Sequence, residues 1–179
     1  MAQTFIALLR GINVGGHHKV PMALLRQEME RLGFENIITL LNSGNVIFKG
    51  AGGQEEKLEK KIAAHLEKAF GFAIPVLVRK AEAIIKLVKA DPFKEVKVTD
   101  DIRLYVSFLK EPHGVSLNLP WIAEDQSFSI INVREKEICS VLDLSVTSTP
   151  KGMEALEKFY GKDITTRNWK TILRIAEKI

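Results

Sequence analysis

The segment Phe5-Ile6-Ala7-Leu8-Leu9 is apolar on both of its alternating faces, with Phe5, Ala7 and Leu9 on one side and Ile6 and Leu8 on the other. Such a strand cannot lie on a solvated sheet face. It has to sit inside a sheet covered on both sides, or covered on one side and packed on a neighbouring part of the chain on the other. The rest of the sequence must therefore supply flanking strands and covers. Residues 4–12 are expected to form this strand.

The covers and flanks follow in order. Pro21 suits the first position of a helix. Met22, Leu25, Met29 and Leu32 continue at helical spacing, and Gly33 is a natural stop. Two short strands, 36–42 and 45–49, are joined through Asn42-Ser43-Gly44-Asn45, residues that tolerate the positive φ of a hairpin turn. Leu58, Ile62, Leu66 and Phe70 recur every fourth residue and define a helix over 54–70. Residues 73–79 read as a strand containing Pro75, which lacks the N–H a ladder needs and so belongs on a sheet edge. The order β-α-β-β-α-β is that of a ferredoxin-like plait. In its strand order, 4-1-3-2, the fourth strand is an edge, in agreement with Pro75.

The second half repeats the theme less fully. A helix at 80–90 ends at Asp91-Pro92, and 94–101 is a charged linker. Ile102, Leu104, Val106 and Phe108 then alternate with Arg103, Tyr105 and Ser107 as in a half-buried strand. Residues 112–125 hold Pro112, Pro120 and Trp121 and stand where a plait has its first helix. Strands at 127–133 and 136–144 turn over Arg134-Glu135-Lys136, and helices at 151–160 and 167–178 complete the chain. The expected fold class is α+β, two ferredoxin-like α/β plait units over 1–79 and 80–179, the second without an evident last strand.

Composition narrows the function classes. The chain has 179 residues, 46% of them hydrophobic, enough for a real core. A net charge of +4 permits acidic partners and nucleic acid but does not demand them. The charges alternate in sign along Glu55-Glu56-Lys57-Leu58-Glu59-Lys60-Lys61, as on a solvated helix face. The lone Cys139 can form no internal disulfide and sits in an apolar strand as a core residue. No apolar run approaches the ~20 residues that span a bilayer, and Met1–Phe5 lack the basic start of a signal peptide. A cytoplasmic location and no membrane partner are expected.

Chemistry-bearing residues collect in Arg10-Gly11-Ile12-Asn13-Val14-Gly15-Gly16-His17-His18-Lys19. In a plait the first two strands run parallel and end at one edge, so this loop should meet the Asn42–Asn45 turn. The candidate ligand-binding residues are Arg10, Gly11, Asn13, Gly15, Gly16, Lys19, Ser43, Gly44 and Asn45. Gly11 and Gly16 have the spacing of a phosphate-binding P-loop, but His17-His18 replace its lysine and hydroxyl. Adjacent histidines without a carboxylate or thiolate set do not make a metal site. Ser43 lacks the surroundings of a hydrolase nucleophile. No catalytic constellation and no cofactor are indicated. The central strands carry no aromatic stacking signature for RNA. Thr165-Thr166-Arg167-Asn168-Trp169 is expected to open the last helix, with a threonine cap and with Trp169, Ile172, Leu173 and Ala176 on its core face. Arg167 and Asn168 would lie in its first turn, where the dipole disfavours a cation; a cation placed there can mark a partner, either a carboxylate elsewhere in the fold or a bound anion.

Leu8-Leu9-Arg10-Gly11-Ile12-Asn13-Val14-Gly15-Gly16 with Lys19-Val20-Pro21-Met22, then Asn42-Ser43-Gly44-Asn45-Val46-Ile47-Phe48, then Thr166-Arg167-Asn168-Trp169 resemble the signatures of domain-of-unknown-function family 1697. The resemblance implies a bacterial-type cytosolic protein with two plait-like halves and brings no activity with it. It also groups the polar segments, so that Arg167 and Asn168 join the candidate list. The functional expectation is binding of a small anionic or polar ligand at the glycine-rich cleft. The alternatives are a nucleic-acid-binding module and a structural role for the motifs.

Overall fold

A computed structural model describes residues 2–112 and 114–179. It is a mixed α/β chain with two antiparallel sheets and five helices. The chain divides into two compact units, Met1–Lys86 with Arg174–Ile179, and Leu87–Leu173. The first unit thus extends beyond the 1–79 expected from sequence and takes in the last residues of the chain. No helix among the described residues is long and apolar enough to cross a membrane.

The first unit runs β1 (Ala2–Leu9), α1 (Met22–Arg31), β2 (Glu35–Leu40), β3 (Asn45–Ala51), α2 (Glu55–Phe70) and β4 (Val76–Lys80), and continues into α3 (Ala81–Ala90). Its sheet has the order β2-β3-β1-β4. Central β1 pairs antiparallel with β3 through Leu8↔Asn45 and with β4 through Leu8↔Leu77. Both faces of β1 are buried, as its sequence demands. Phe5, Ala7 and Leu9 join Leu25, Met29, Phe48, Ile62 and Leu66 in the helix-side core. Ile6 and Leu8, on the opposite face, are 0% exposed as well. The helix ends follow local chemistry. Gly33 (φ +81°) ends α1 with N–H bonds from Gly33 to the Glu30 carbonyl and from Phe34 to the Met29 carbonyl, a Schellman pair. Gly71 (φ +79°) ends α2.

β4 is an edge strand, and α2 covers its open side. The Val78 N–H donates to Glu59 Oε1 and the Lys80 N–H to Glu55 Oε1, each at 2.9 Å. Two carboxylates one helical turn apart therefore occupy donors that an exposed edge would offer to another chain. Arg79, between these two strand residues, is buried and lies 3.6 Å from Glu59 Oε1 and 3.8 Å from Glu55 Oε2. Pro75 precedes this strand rather than interrupting it.

The second unit contains β5 (Ile102–Leu109), β6 (Trp121–Ile122), β7 (Phe128–Arg134), β8 (Glu137–Asp143), α4 (Thr149–Tyr160), β9 (Ile164–Asn168) and the start of α5 (Trp169–Ala176). The sheet order is β6-β7-β8-β5-β9. Two expectations are corrected here. The last helix does not begin at 167; Thr165-Thr166-Arg167 lie within β9, a last strand that the sequence did not make evident, and Val106 pairs with Arg167. The β-branched Ile164, Thr165 and Thr166 favour a strand over a helix start. The helix position of a plait within 112–125 is not filled by a helix among the described residues, where the short β6 forms instead. Gly152 lets α4 approach the sheet: a Cβ at that position would lie 2.5 Å from Leu142 Cδ1.

Glu59→Ala should cost about 3 kcal/mol in chemical denaturation, because it leaves a strand N–H and much of a buried guanidinium uncompensated. Glu59→Gln keeps an acceptor and should cost clearly less. Cys139 is 1% exposed, and burial pushes its thiol up to about 12. It should resist a thiol reagent at pH 8 and react fully once the protein is unfolded in denaturant.

Candidate functional site

β1 and β2 are both antiparallel to β3, so they run in one direction and their C-terminal ends share one end of the sheet. The loop leaving β1 and the turn leaving β2 meet there. The Leu9 N–H donates to the Gly44 carbonyl at 2.8 Å, and the Asn13 side-chain amide to the Asn42 carbonyl at 2.8 Å. The segment before β4 joins them, since the Arg10 N–H donates to the Pro75 carbonyl at 2.9 Å. Gly44 is required at this junction. Its φ is +75°, and a Cβ would lie 2.6 Å from Ile12 Cδ1 and 2.8 Å from Leu9 Cβ.

The first loop folds on itself as a small hairpin. Asn13 N–H donates to the His18 carbonyl and His17 N–H to the Val14 carbonyl, both at 3.1 Å. Gly15 and Gly16, at φ +58° and +80°, are the central residues of this turn and have the φ signs of type I′. Asn13 braces the hairpin with its whole amide. Its Oδ1 accepts the Val20 N–H at 2.8 Å, and its Nδ2 donates to the Val20 carbonyl at 3.0 Å as well as to Asn42. His18 stacks on Phe72, with ring centroids 4.5 Å apart, and its Nδ1 lies 3.2 Å from the Gly11 carbonyl.

The candidates thus fall into two sets. Asn13 and Asn45 are tied up internally. Asn45 is fully buried, and its Nδ2 donates to the Leu40 carbonyl at 2.9 Å and to Ser43 Oγ at 3.0 Å. Gly11, Gly15 and Gly16 shape the loop, and Gly44 seats it. Lys19, His17 and Ser43 are exposed, and Arg10 is half-buried. Arg167 and Asn168 belong to the second unit. Arg167 is buried within β9, where desolvation brings its guanidinium down to about 10, and its Nη1 donates to the Thr166 carbonyl at 2.9 Å. Asn168, not a threonine, caps α5: its Oδ1 accepts the Lys170 N–H at 2.9 Å.

Two features of the loop end were not apparent from motifs. One is conformational. Asn13, His18 and Leu41 have φ of +55°, +49° and +59°, so three non-glycine residues hold the left-handed region within these two loops. Such strain costs on the order of 1–3 kcal/mol per residue and persists only where surroundings enforce it. The other is electrostatic. The converging loops, 10–21, 41–44 and 71–75, contain Arg10, His17, His18 and Lys19 and not one Asp or Glu. α1 begins at the same end with Pro21 as its N-cap, no side-chain cap and no acid in its first turn. Its dipole adds to the positive potential.

Asn13→Ala should lower stability by about 2–3 kcal/mol, the net worth of three side-chain hydrogen bonds together with the poorer fit of alanine to positive φ. Hydrogen exchange should show the loss directly at the Val20 amide.

The model of the family described as "Protein of unknown function (DUF1697)" matches residues 2–138. The loop and turn motifs lie inside the match, and Thr166–Trp169 lies beyond it. No curated protein matches the chain. Among solved structures, a conserved bacterial protein from Streptococcus pneumoniae is similar over 99% of this chain and 99% of its own, with a TM-score of 0.76 and 23% sequence identity. At that identity the likeness concerns the fold alone. With the family model covering well over half of its length, the chain belongs to the DUF1697 family of proteins of unknown function.

Proposed function

We propose that this protein binds a small anionic ligand at the loop end of its first sheet. The carrying observation is the charge pattern: three converging loops with Arg10, His17, His18 and Lys19 and no carboxylate. A cation in an ordinary loop is commonly balanced by a nearby acid. Here the loops themselves hold no acid, and they lie beside the uncapped start of α1. The bracing supports the same reading. A loop held by Asn13 and by the His18–Phe72 stack loses little further entropy when a ligand arrives. The strand order β2-β3-β1-β4 fits a ferredoxin-like plait, in which these loops share one end of the sheet. A phosphate or carboxylate group is the chemistry such a site would take, bound by Lys19, Arg10 and backbone N–H groups.

Lys19 gives the clean test because its exposed side chain should carry little of the fold's stability. Thermal stability should be measured against phosphate, pyrophosphate, citrate and mononucleotides, for wild type and Lys19→Ala. A ligand at 100 times its Kd stabilises by about 2.7 kcal/mol. At least one anion should raise the melting temperature of wild type, and the rise should shrink in Lys19→Ala and at higher salt. No shift with any anion would overturn the proposal. Binding confined to single-stranded RNA or DNA, falling steeply with salt, would replace it with the nucleic-acid reading.

A further inference from the structure

The junction of β9 and α5 lines a cleft of its own. Asn168, Trp169 and Lys170 form one wall of a space of about 730 Å³. The facing wall comes from the 91–104 segment, so all of its lining belongs to the second unit. The volume falls in the ~300–1,000 Å³ range of small-molecule sites.

The lining is apolar inside and cationic at the rim. Ile102, Leu104 and Leu173 line it while only half-buried, so they present hydrocarbon to the space. Trp169 packs against Phe93 with ring centroids 5.1 Å apart and planes tilted by 60°. Lys170 stands in the first turn of α5, a turn without acids, where the helix dipole disfavours it. Among the described residues its ammonium has no carboxylate within salt-bridge reach. Arg103, across the cleft, donates Nη1 to the carbonyls of Asp100 and Ile102, at 2.6 and 3.1 Å, and pairs with no acid either. Lys94, which lies 3.8 Å from Glu95, lines the space too, so Lys170 and Arg103 are the two lining cations outside an ion pair. Asp91 and Asp100 also line the space. They would repel a polyanion while tolerating a single negative group placed at the two cations.

We infer that this cleft binds an amphiphilic organic monoanion. Its carboxylate or sulfonate lies between Lys170 and Arg103, and its aliphatic or aromatic body rests on Leu104, Trp169 and Leu173. This site is separate in residues and in ligand class from the loop end.

The probe is 8-anilinonaphthalene-1-sulfonate, one sulfonate on an aromatic body, titrated into the full chain and read by fluorescence and by amide chemical shifts. Wild type should bind one equivalent, with the largest shifts at 91–104 and 168–173. Lys170→Glu should weaken binding at least about ten-fold. The same change puts an acid in the first turn of α5, so its melting temperature should hold or rise. Weak binding with intact stability therefore separates a ligand role from a structural one. Arg103→Gln, which keeps hydrogen-bond donors but not the charge, should weaken binding in the same direction. Decanoate should displace the probe, and pyrophosphate should not. Equal affinity in wild type and Lys170→Glu, shifts centred elsewhere, no binding up to about 1 mM, or displacement by pyrophosphate would each overturn the inference.

Discussion

A strand with no polar face has one stable place in a protein, and β1 occupies it. Phe5 through Leu8 are 0% exposed, so the strand must be flanked and covered on every side. Full burial of each such side chain is worth about 1.5–3 kcal/mol, enough for this one segment to dominate the choice of arrangement. The chain that leaves β1 therefore emerges from the most constrained point of the unit. The residue that follows β1, Arg10, is tied through its N–H to the Pro75 carbonyl. A loop rooted there inherits a fixed origin, and this allows the twelve residues 10–21, without helix or ladder strand, to hold one shape.

That shape is maintained by polar groups, and the division of labour among them is informative. Asn13 commits its oxygen to the Val20 N–H and its NH2 group to the Val20 and Asn42 carbonyls, so its amide serves the loop. Asn45 is similarly occupied beneath the turn. A sequence motif records both kinds of residue without distinction, those that build a site and those that face its occupant. The structure separates them. The builders are asparagines and glycines, and the residues left facing outward are cationic or small. A loop with only a structural purpose would be expected to mix both signs of charge, as α2 does along Glu55–Lys61. The exclusion of acids from all three loops at this end is what the structural reading leaves unexplained.

The first unit could be read from sequence because its signals are local and strong. Alternation, four-residue spacing and stop glycines gave every element of βαββαβ, and the parallel course of β1 and β2 brought the loop and turn together as expected. Pro75 pointed to the edge although it lies one residue before β4. The capping of that edge by Glu55 and Glu59 had no local signal, because it depends on how α2 lies over the strand. The end of the second unit misled for a specific reason. Thr166-Arg167-Asn168-Trp169 stands directly before a helical pattern, and a threonine there resembles a cap. The cap is Asn168, two residues later, and the threonines serve the strand; Thr166 Oγ1 meets Ser107 Oγ across β5 at 2.7 Å. A cap and a terminal strand residue share composition, and only the pairing partner, some sixty positions away in sequence, decides between them.

The second sheet also shows what can stand in for a helix. Its β7-β8-β5-β9 order repeats the β2-β3-β1-β4 order of the first sheet, but among the described residues no helix stands between its first strand and β7. Pro112 and Pro120 remove backbone donors and bias the residues before them away from helical ψ. The core still has to be closed on that side. Val115, Leu117, Trp121 and Ala123 pack against it from the irregular stretch and from β6. Trp121 contributes most by size, meeting Phe159 of α4 edge-on at 4.9 Å and Phe128 of β7 at 6.4 Å. These side chains together cover the face that a helix would otherwise cover. The hydrophobic requirement is met without regular backbone, which is why the covering residues show no helical period in the sequence.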